Sequence, residues 1–193
     1  MNPIDPTRLV QGIRLGDEEA VRHLVEAYYA PILRYLFRML QDHQGAEDVC
    51  QEVFVRAVQR IDQLRDPKGL KTWLYRIAAN LAHDHRRRPK ETPVAAVPHT
   101  EALTGEFEAM RERLYVAELL QILSVEQREV VILRFYEDLS LADIGEVLGI
   151  PIGTVKSRLH HALRRLRAHV EKDEEEVASD AVRGSRAYPS HVG

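Results

Sequence analysis

The 193-residue sequence predicts an all-α protein of two small helical domains joined by a flexible linker. Three observations predict it. Apolar residues recur at helical rather than alternating spacing over 7–85 and again over 107–170, with glycine and proline sparse inside both segments. Between them, RPKETPVAAVPHTEALTG at 88–105 carries prolines at 89, 93 and 98 and no sustained period, which suits a partly extended linker. The second segment also holds two short periodic stretches broken at GIP, 149–151, the outline of a helix-turn-helix. The expected layout is a domain over 1–88, a linker over 89–106, a domain over 107–170 and an acidic, disordered tail over 171–193.

Asp17 is a good N-cap for a helix through Leu24, Ala27 and Tyr28. Pro31 is expected to kink or divide that helix before it continues over 32–40. The next helix, 46–64, carries Val49, Val53, Ala57 and Ile61 at helical spacing, with Phe54 and Val58 widening the stripe. Its other side holds Asp48, Gln51, Glu52, Arg56 and Gln59, either a solvated surface or a docking face for another protein. DPKG at 66–69 is a turn signal, and a helix over 70–84 follows with Leu74, Ile77, Ala78 and Leu81 as core positions. After the linker, Leu114, Leu119, Leu120 and Ile122 lead to Ser124, which forms a capping-box pattern with Gln127 before Val130, Val131, Leu133 and Phe135.

In LSLADIGEVLGIPIGTVKSRLHHALRRL, 139–166, Ser140 can cap the first turn, Asp143 sits at the capping-box position, and Gly149 supplies a left-handed stop. In the second helix Val155, Leu159, Ala162, Leu163 and Leu166 fall on one face, with Ser157, His160, His161 and Arg164 broadly opposite and Thr154, Lys156, Arg158 and Arg165 on the flanks. No acid occurs over 151–170. Hydroxyl, imidazole and guanidinium groups on one face suit a DNA major groove, where arginine grips guanine and lysine holds phosphate. A helical hairpin with a solvated basic face is the competing reading.

The chain has 30 acidic and 27 Lys or Arg residues, a formal charge of -3, so any nucleic-acid affinity must come from local charge rather than a basic coat. One such place is 65–90, where Arg65, Lys68, Lys71, Arg76, Arg86, Arg87, Arg88 and Lys90 face only Asp66 and Asp84. Trp73 and Tyr75 interrupt it, and basic residues interleaved with aromatics suit unpaired bases. A core tryptophan is an equal alternative for Trp73. Asn80 is a candidate for hydrogen bonding a base edge. The acidic run EKDEEE that opens the tail reads as a solvated helix end, with competition for the basic DNA face as a second possibility.

Cys50 is the only cysteine, which excludes an intrachain disulfide framework and a cysteine-based zinc site and fits a reducing, cytoplasmic setting. No signal peptide, membrane segment, catalytic constellation, P-loop or dinucleotide fingerprint is evident. His83/His85 and His160/His161 lack the i, i+4 spacing of helical metal ligands. No metal, cofactor or enzymatic activity of its own is expected.

AEDVCQEVFVRAV (46–58), TWLYRIAANLAHDHRRR (72–88) and the 139–166 stretch, in this order with a proline-containing linker, resemble bacterial RNA polymerase sigma factors of the extracytoplasmic-function group, over about 7–170. The resemblance implies a region 2-like helical bundle and a region 4-like helix-turn-helix. It implies that Asp48, Gln51, Glu52 and Phe54 contact core RNA polymerase at the clamp helices of its largest subunit, with a further contact on the flap. It assigns Lys71, Trp73, Arg76, Asn80, Asp84 and Arg87 to recognition and melting of the minus-10 element, including capture of a flipped nontemplate base. It assigns Arg134, Thr154, Lys156, Ser157, Arg158, His160 and His161 to the minus-35 element. The linker would thread toward the polymerase active centre and RNA exit path.

Two positions depart from the family. Asp84 stands where others often have an uncharged or basic residue, and His161 where many have arginine. The resemblance also implies control by an anti-sigma factor. The expected function is a promoter-specificity subunit engaging duplex and melted DNA. The alternatives are a self-sufficient helix-turn-helix regulator and a helical adaptor whose basic faces bind proteins.

Overall fold

In the computed structural model of the chain, residues 5–87 and 115–185 are described, with side chains as far as Asp173. Among the described residues there are helices and no strands, in the order α1 (Pro6–Arg14), α2 (Glu18–Leu40), α3 (His43–Gln59), α4 (Leu70–Arg87), α5 (115–121), α6 (Val125–Phe135), α7 (Leu141–Leu148) and α8 (Ile152–Ser185). The all-α expectation therefore holds. The linker, 89–106, lies outside the described residues.

Helix α1 begins where the Asp5 carboxylate accepts from the backbone N–H of Thr7 at 2.9 Å and Pro6 occupies the first turn, a pairing that costs no backbone donor. Gly16, at φ +78°, turns the chain into α2, where Asp17 accepts from Glu19 N–H at 3.0 Å. Close packing of the two helices depends on Gly12, since a Cβ there would lie 2.7 Å from the Cβ of Ala20.

Pro31 does not divide α2, which runs 23 residues without a break. Leu24 on one side of it and Ile32, Tyr35 and Leu36 on the other are fully buried. Tertiary packing of both halves outweighs the backbone bond that proline forgoes.

Helix α3 starts at His43, three residues before the expected start, because Asp42 accepts from Gly45 N–H at 3.1 Å and supplies the cap. It stops at Gln59, and Ile61–Gln63 continues as a single 3-10 turn. The DPKG turn is a second one, Pro67–Gly69, capped by Asp66. Helix α4 runs on to Arg87, past the expected end at 84, with His85, Arg86 and Arg87 in its last turn, where cations suit the negative helix end.

In the second half, Ser124 and Gln127 form a complete capping box at α6, and Ser140 and Asp143 form another at α7. Gly149 ends α7 at φ 64°. The turn folds tightly enough that a Cβ on Gly145 would stand 3.0 Å from the Ile150 carbonyl oxygen. Helix α8 continues past Val170, where the composition changes, to Ser185.

The buried residues form one cluster that spans both halves. It runs from Leu24, Leu36, Val53 and Leu74 to Ile132, Leu133, Ile144, Val155 and Ala162. Cys50 sits inside it, and burial pushes its thiol up to about 12.

Candidate nucleic-acid interface

The α7–turn–α8 unit is a helix-turn-helix. Val155 and Ala162 are fully buried and Leu159 and Leu166 pack on them, so the inner face of α8 is the one the periodicity specified. Leu163 departs from it and is exposed. It lies 100° around from Ala162, at the edge of what α6 and α7 cover. Lys156, Ser157, His160 and His161 are exposed, and Thr154 and Arg158 are half-buried. The two imidazoles meet edge to face, 5.7 Å apart. Arg134, at the end of α6, donates to the Leu139 carbonyl at 3.0 Å and approaches Asp138 at 3.8 Å. Its guanidinium thus braces the α6–α7 turn.

On α4, Asn80, Asp84 and Arg87 are exposed and Lys71 and Arg76 half-buried. Trp73 is 4% exposed and Tyr75 fully buried, so in this arrangement neither ring presents a face for a base to stack on. Tyr75 instead meets Tyr35 edge to face at 5.4 Å. Burial and its hydrogen bond to Glu137 raise its phenol well above the usual range.

On α3, Asp48 and Gln51 are exposed and Glu52 is half-buried, held by Arg56 Nε at 2.6 Å. Phe54 does not share that face. It is buried, with Tyr29 stacked 6.1 Å away, because it widens the apolar stripe next to Val53 and Ala57. Val55, half exposed, follows Gln51 by four residues and takes the outward position. The i, i+4 spacing from Gln51 is the signal for it.

The structure also brings together residues with no short-range signal. The Tyr35 hydroxyl donates to Glu129 Oε1 at 3.0 Å, and His83 Nε2 lies 3.0 Å from Glu129 Oε2. The Tyr75 hydroxyl donates to the Glu137 carboxylate, and the Lys71 ammonium donates to the Glu137 carbonyl oxygen. Thr72 Oγ1 donates to Asp143 Oδ1 at 3.3 Å, Arg76 approaches Glu146 at 3.7 Å, and Arg38 lies 4.1 Å over the Tyr136 ring. Burial, Glu129's charge and its hydrogen bond raise the Tyr35 phenol well above its usual value. Among the described residues no buried side-chain nitrogen or oxygen lacks a hydrogen-bond partner.

No helix among the described residues is long and apolar enough to cross a membrane. The family description Sigma-70 region 2 matches residues 24–92, and Sigma-70, region 4 matches residues 119–168. The chain is similar to the ECF RNA polymerase sigma factor SigW of Bacillus subtilis, 34% identical over 82% of this chain and 92% of that one. It is also similar to the ECF RNA polymerase sigma factor SigL of Mycobacterium tuberculosis, 35% identical over 82% and 93% respectively. Among solved structures, CnrH in complex with the cytosolic domain of CnrY matches with a TM-score of 0.68 at 26% identity, covering 88% of this chain and 99% of that one. The sigma factor RpoE from Bartonella quintana, solved with the anti-sigma factor NepR, shares the fold with a TM-score of 0.59 at 22% identity, over 78% and 96%. With a helix-turn-helix whose second helix has an acid-free outer face, both sigma-70 regions in order and relatives matched over nearly their full length, the chain belongs to the extracytoplasmic-function group of bacterial sigma factors, and its function is promoter-specific initiation of transcription by RNA polymerase.

Proposed function

We propose that the protein divides promoter reading between its two halves, with α8 fixing the minus-35 element and α4 recognising and melting the minus-10 element. The observation that carries this reading is the division of α8 itself. Val155 and Ala162 are buried, while Lys156, Ser157, His160 and His161 project outward from a stretch, 151–170, without an acid. Lys156 and Arg158 supply phosphate contacts that set register, and Ser157, His160 and His161 face base edges. Arg134 and Thr154 flank them. On α4, Lys71, Arg76 and Arg87 hold backbone phosphates, Asn80 hydrogen-bonds an unpaired base, and Asp84 biases the choice of base by repelling acceptors. Trp73 stacks only after its cover is removed.

Asp48, Gln51, Glu52 and the outward Val55 of α3 form the docking face for core polymerase, a polar patch around one apolar residue. The protein contributes recognition and strand capture in the cytoplasm, and bond making belongs to the polymerase. An anti-sigma partner is inferred from the RpoE relative, which was solved with NepR.

Run-off transcription by core polymerase with and without the protein tests the reading. Promoter-dependent transcripts are expected only with it. No gain at any genomic promoter, together with no binding to core, overturns the reading in favour of a self-sufficient helix-turn-helix regulator. Asn80→Ala is expected to abolish permanganate reactivity in the melted region while leaving upstream protection intact.

A further inference from the structure

We propose that the open cavity between α2, α3, α5 and the α6–α7 turn is a binding site for a small amphipathic anion, an acidic head on an apolar body. The cavity measures about 590 Å³, within the range of sites that enclose small organic ligands. None of its lining residues is among those assigned to DNA or to polymerase.

The body of the ligand follows from the walls. Leu33 of α2, Ala46 of α3 and Leu120 of α5 line the cavity and belong to the buried core or pack on it. Phe37, Val116 and Tyr136 also line it, yet they are 37%, 37% and 39% exposed. Three large side chains from three elements therefore converge on one hollow with much of their surface in water. A concave apolar patch of this kind marks a place where something else is bound.

The head follows from the charges. Arg34 and Arg38, one turn apart on α2, both line the cavity, and among the described residues no acid does. Like charges at this spacing oppose one another, and Arg34 adds to the burial that pulls the Arg38 guanidinium below its usual value. Arg38 lies 4.1 Å over the Tyr136 ring; a ring face attracts the cation but accepts few of its five N–H donors. Glu137 acts on Arg38 only through space, and its carboxylate is taken by Tyr75. His43 is already engaged, edge to face with Phe37 at 5.9 Å and 3.4 Å from Glu47, so the two arginines define the polar end. Guanidinium groups beside an apolar hollow suit a carboxylate or phosphate head, which takes paired N–H donors, with the tail displacing water from the walls. An uncharged apolar peptide would cover the walls and leave the half-buried charge of Arg38 uncompensated.

Isothermal titration calorimetry of the full chain with decanoate, decyl phosphate and decanol tests the site, since the three share a tail and differ in the head. Both anions are expected to bind with single-site stoichiometry and at least about tenfold more tightly than decanol, and the tighter of the two identifies the head. Arg34→Gln with Arg38→Gln removes both charges and is expected to bring the anions down to the affinity of decanol, which itself stays unchanged. Ala117→Trp, at an exposed position of α5 that lines the cavity, fills the tail site and is expected to abolish binding of all three. Circular dichroism of both variants is expected to match the wild type, so that the losses read the site and not the fold. Equal affinity of the wild type for the anions and for decanol overturns the proposal in favour of an apolar face open to any hydrophobe, a partner's helix included. Preference for the anions that survives the double Gln variant, or binding that survives Ala117→Trp, also overturns it, as does no binding of any of the three.

Discussion

The phenolic hydroxyl of Tyr35 donates to Glu129 Oε1 at 3.0 Å across a sequence separation of 94 residues. The tyrosine is fully buried, so its hydroxyl has no water to fall back on, and among the described residues the carboxylate is the hydrogen-bond partner it finds.

Glu129→Ala should therefore cost about 1–3 kcal/mol, the range for stranding a buried donor. Tyr35→Phe should cost less, because Glu129 keeps His83. Urea unfolding of both variants and of the double variant checks this. A double-variant loss equal to the sum of the two single losses would show that the residues do not interact.

His83 should titrate above the ordinary histidine value of 6.5, held up by its hydrogen bond to Glu129 against the opposing effect of burial. A raised folded-state value means the imidazolium is favoured by folding. The contribution is fully present below about pH 6.5 and is lost as pH rises through the raised value. Nuclear magnetic resonance titration of His83 in wild type and Glu129→Gln checks it, since the value should fall back in the variant.

Gly12→Ala should destabilise the first half by about 1–3 kcal/mol, as overpacking does. The added methyl would stand 2.7 Å from the Ala20 Cβ, and neither group has a rotamer with which to escape. Thermal unfolding should show a lower midpoint, and Gly12→Ala combined with Ala20→Gly should recover part of it.

Lys156→Ala and Arg158→Ala should each weaken upstream promoter binding by holoenzyme and each flatten the plot of log affinity against log salt by about 0.9. Filter binding on a minus-35 duplex over a salt series reads the slope. His161→Arg should steepen it by a similar amount, since the imidazole of His161 is exposed on the same face.

Local signals were legible because they act over one helical turn. Asp17, Ser124 with Gln127, and Ser140 with Asp143 and Gly149 cap the helices that the sequence assigns to them. Asp5 and Pro6 carry an equally local start signal, though the broad periodicity over 7–85 does not separate α1 from its neighbour. The undivided helix at Pro31 and the exposure of Leu163 share one reason: neighbouring helices decide whether a proline is tolerated and how far an apolar stripe is covered. Among the candidate site residues, the outward positions of α3 and α8 follow from spacing. The engagement of Lys71, Thr72, Tyr75 and Arg76 with α7 and the turn before it does not, because the partners lie 62 to 71 positions away. Periodicity carries no information at that range.

The continuity of α8 settles where its opposite charges can meet. At 1.5 Å per residue, the acids that begin at Glu171 start about 22 Å along the axis from Lys156, well beyond the roughly 8 Å over which physiological salt lets exposed charges feel one another. The helix works as a spacer bar. It holds its own anionic end off the recognition face, so the two charge blocks of a single rod act on different neighbours.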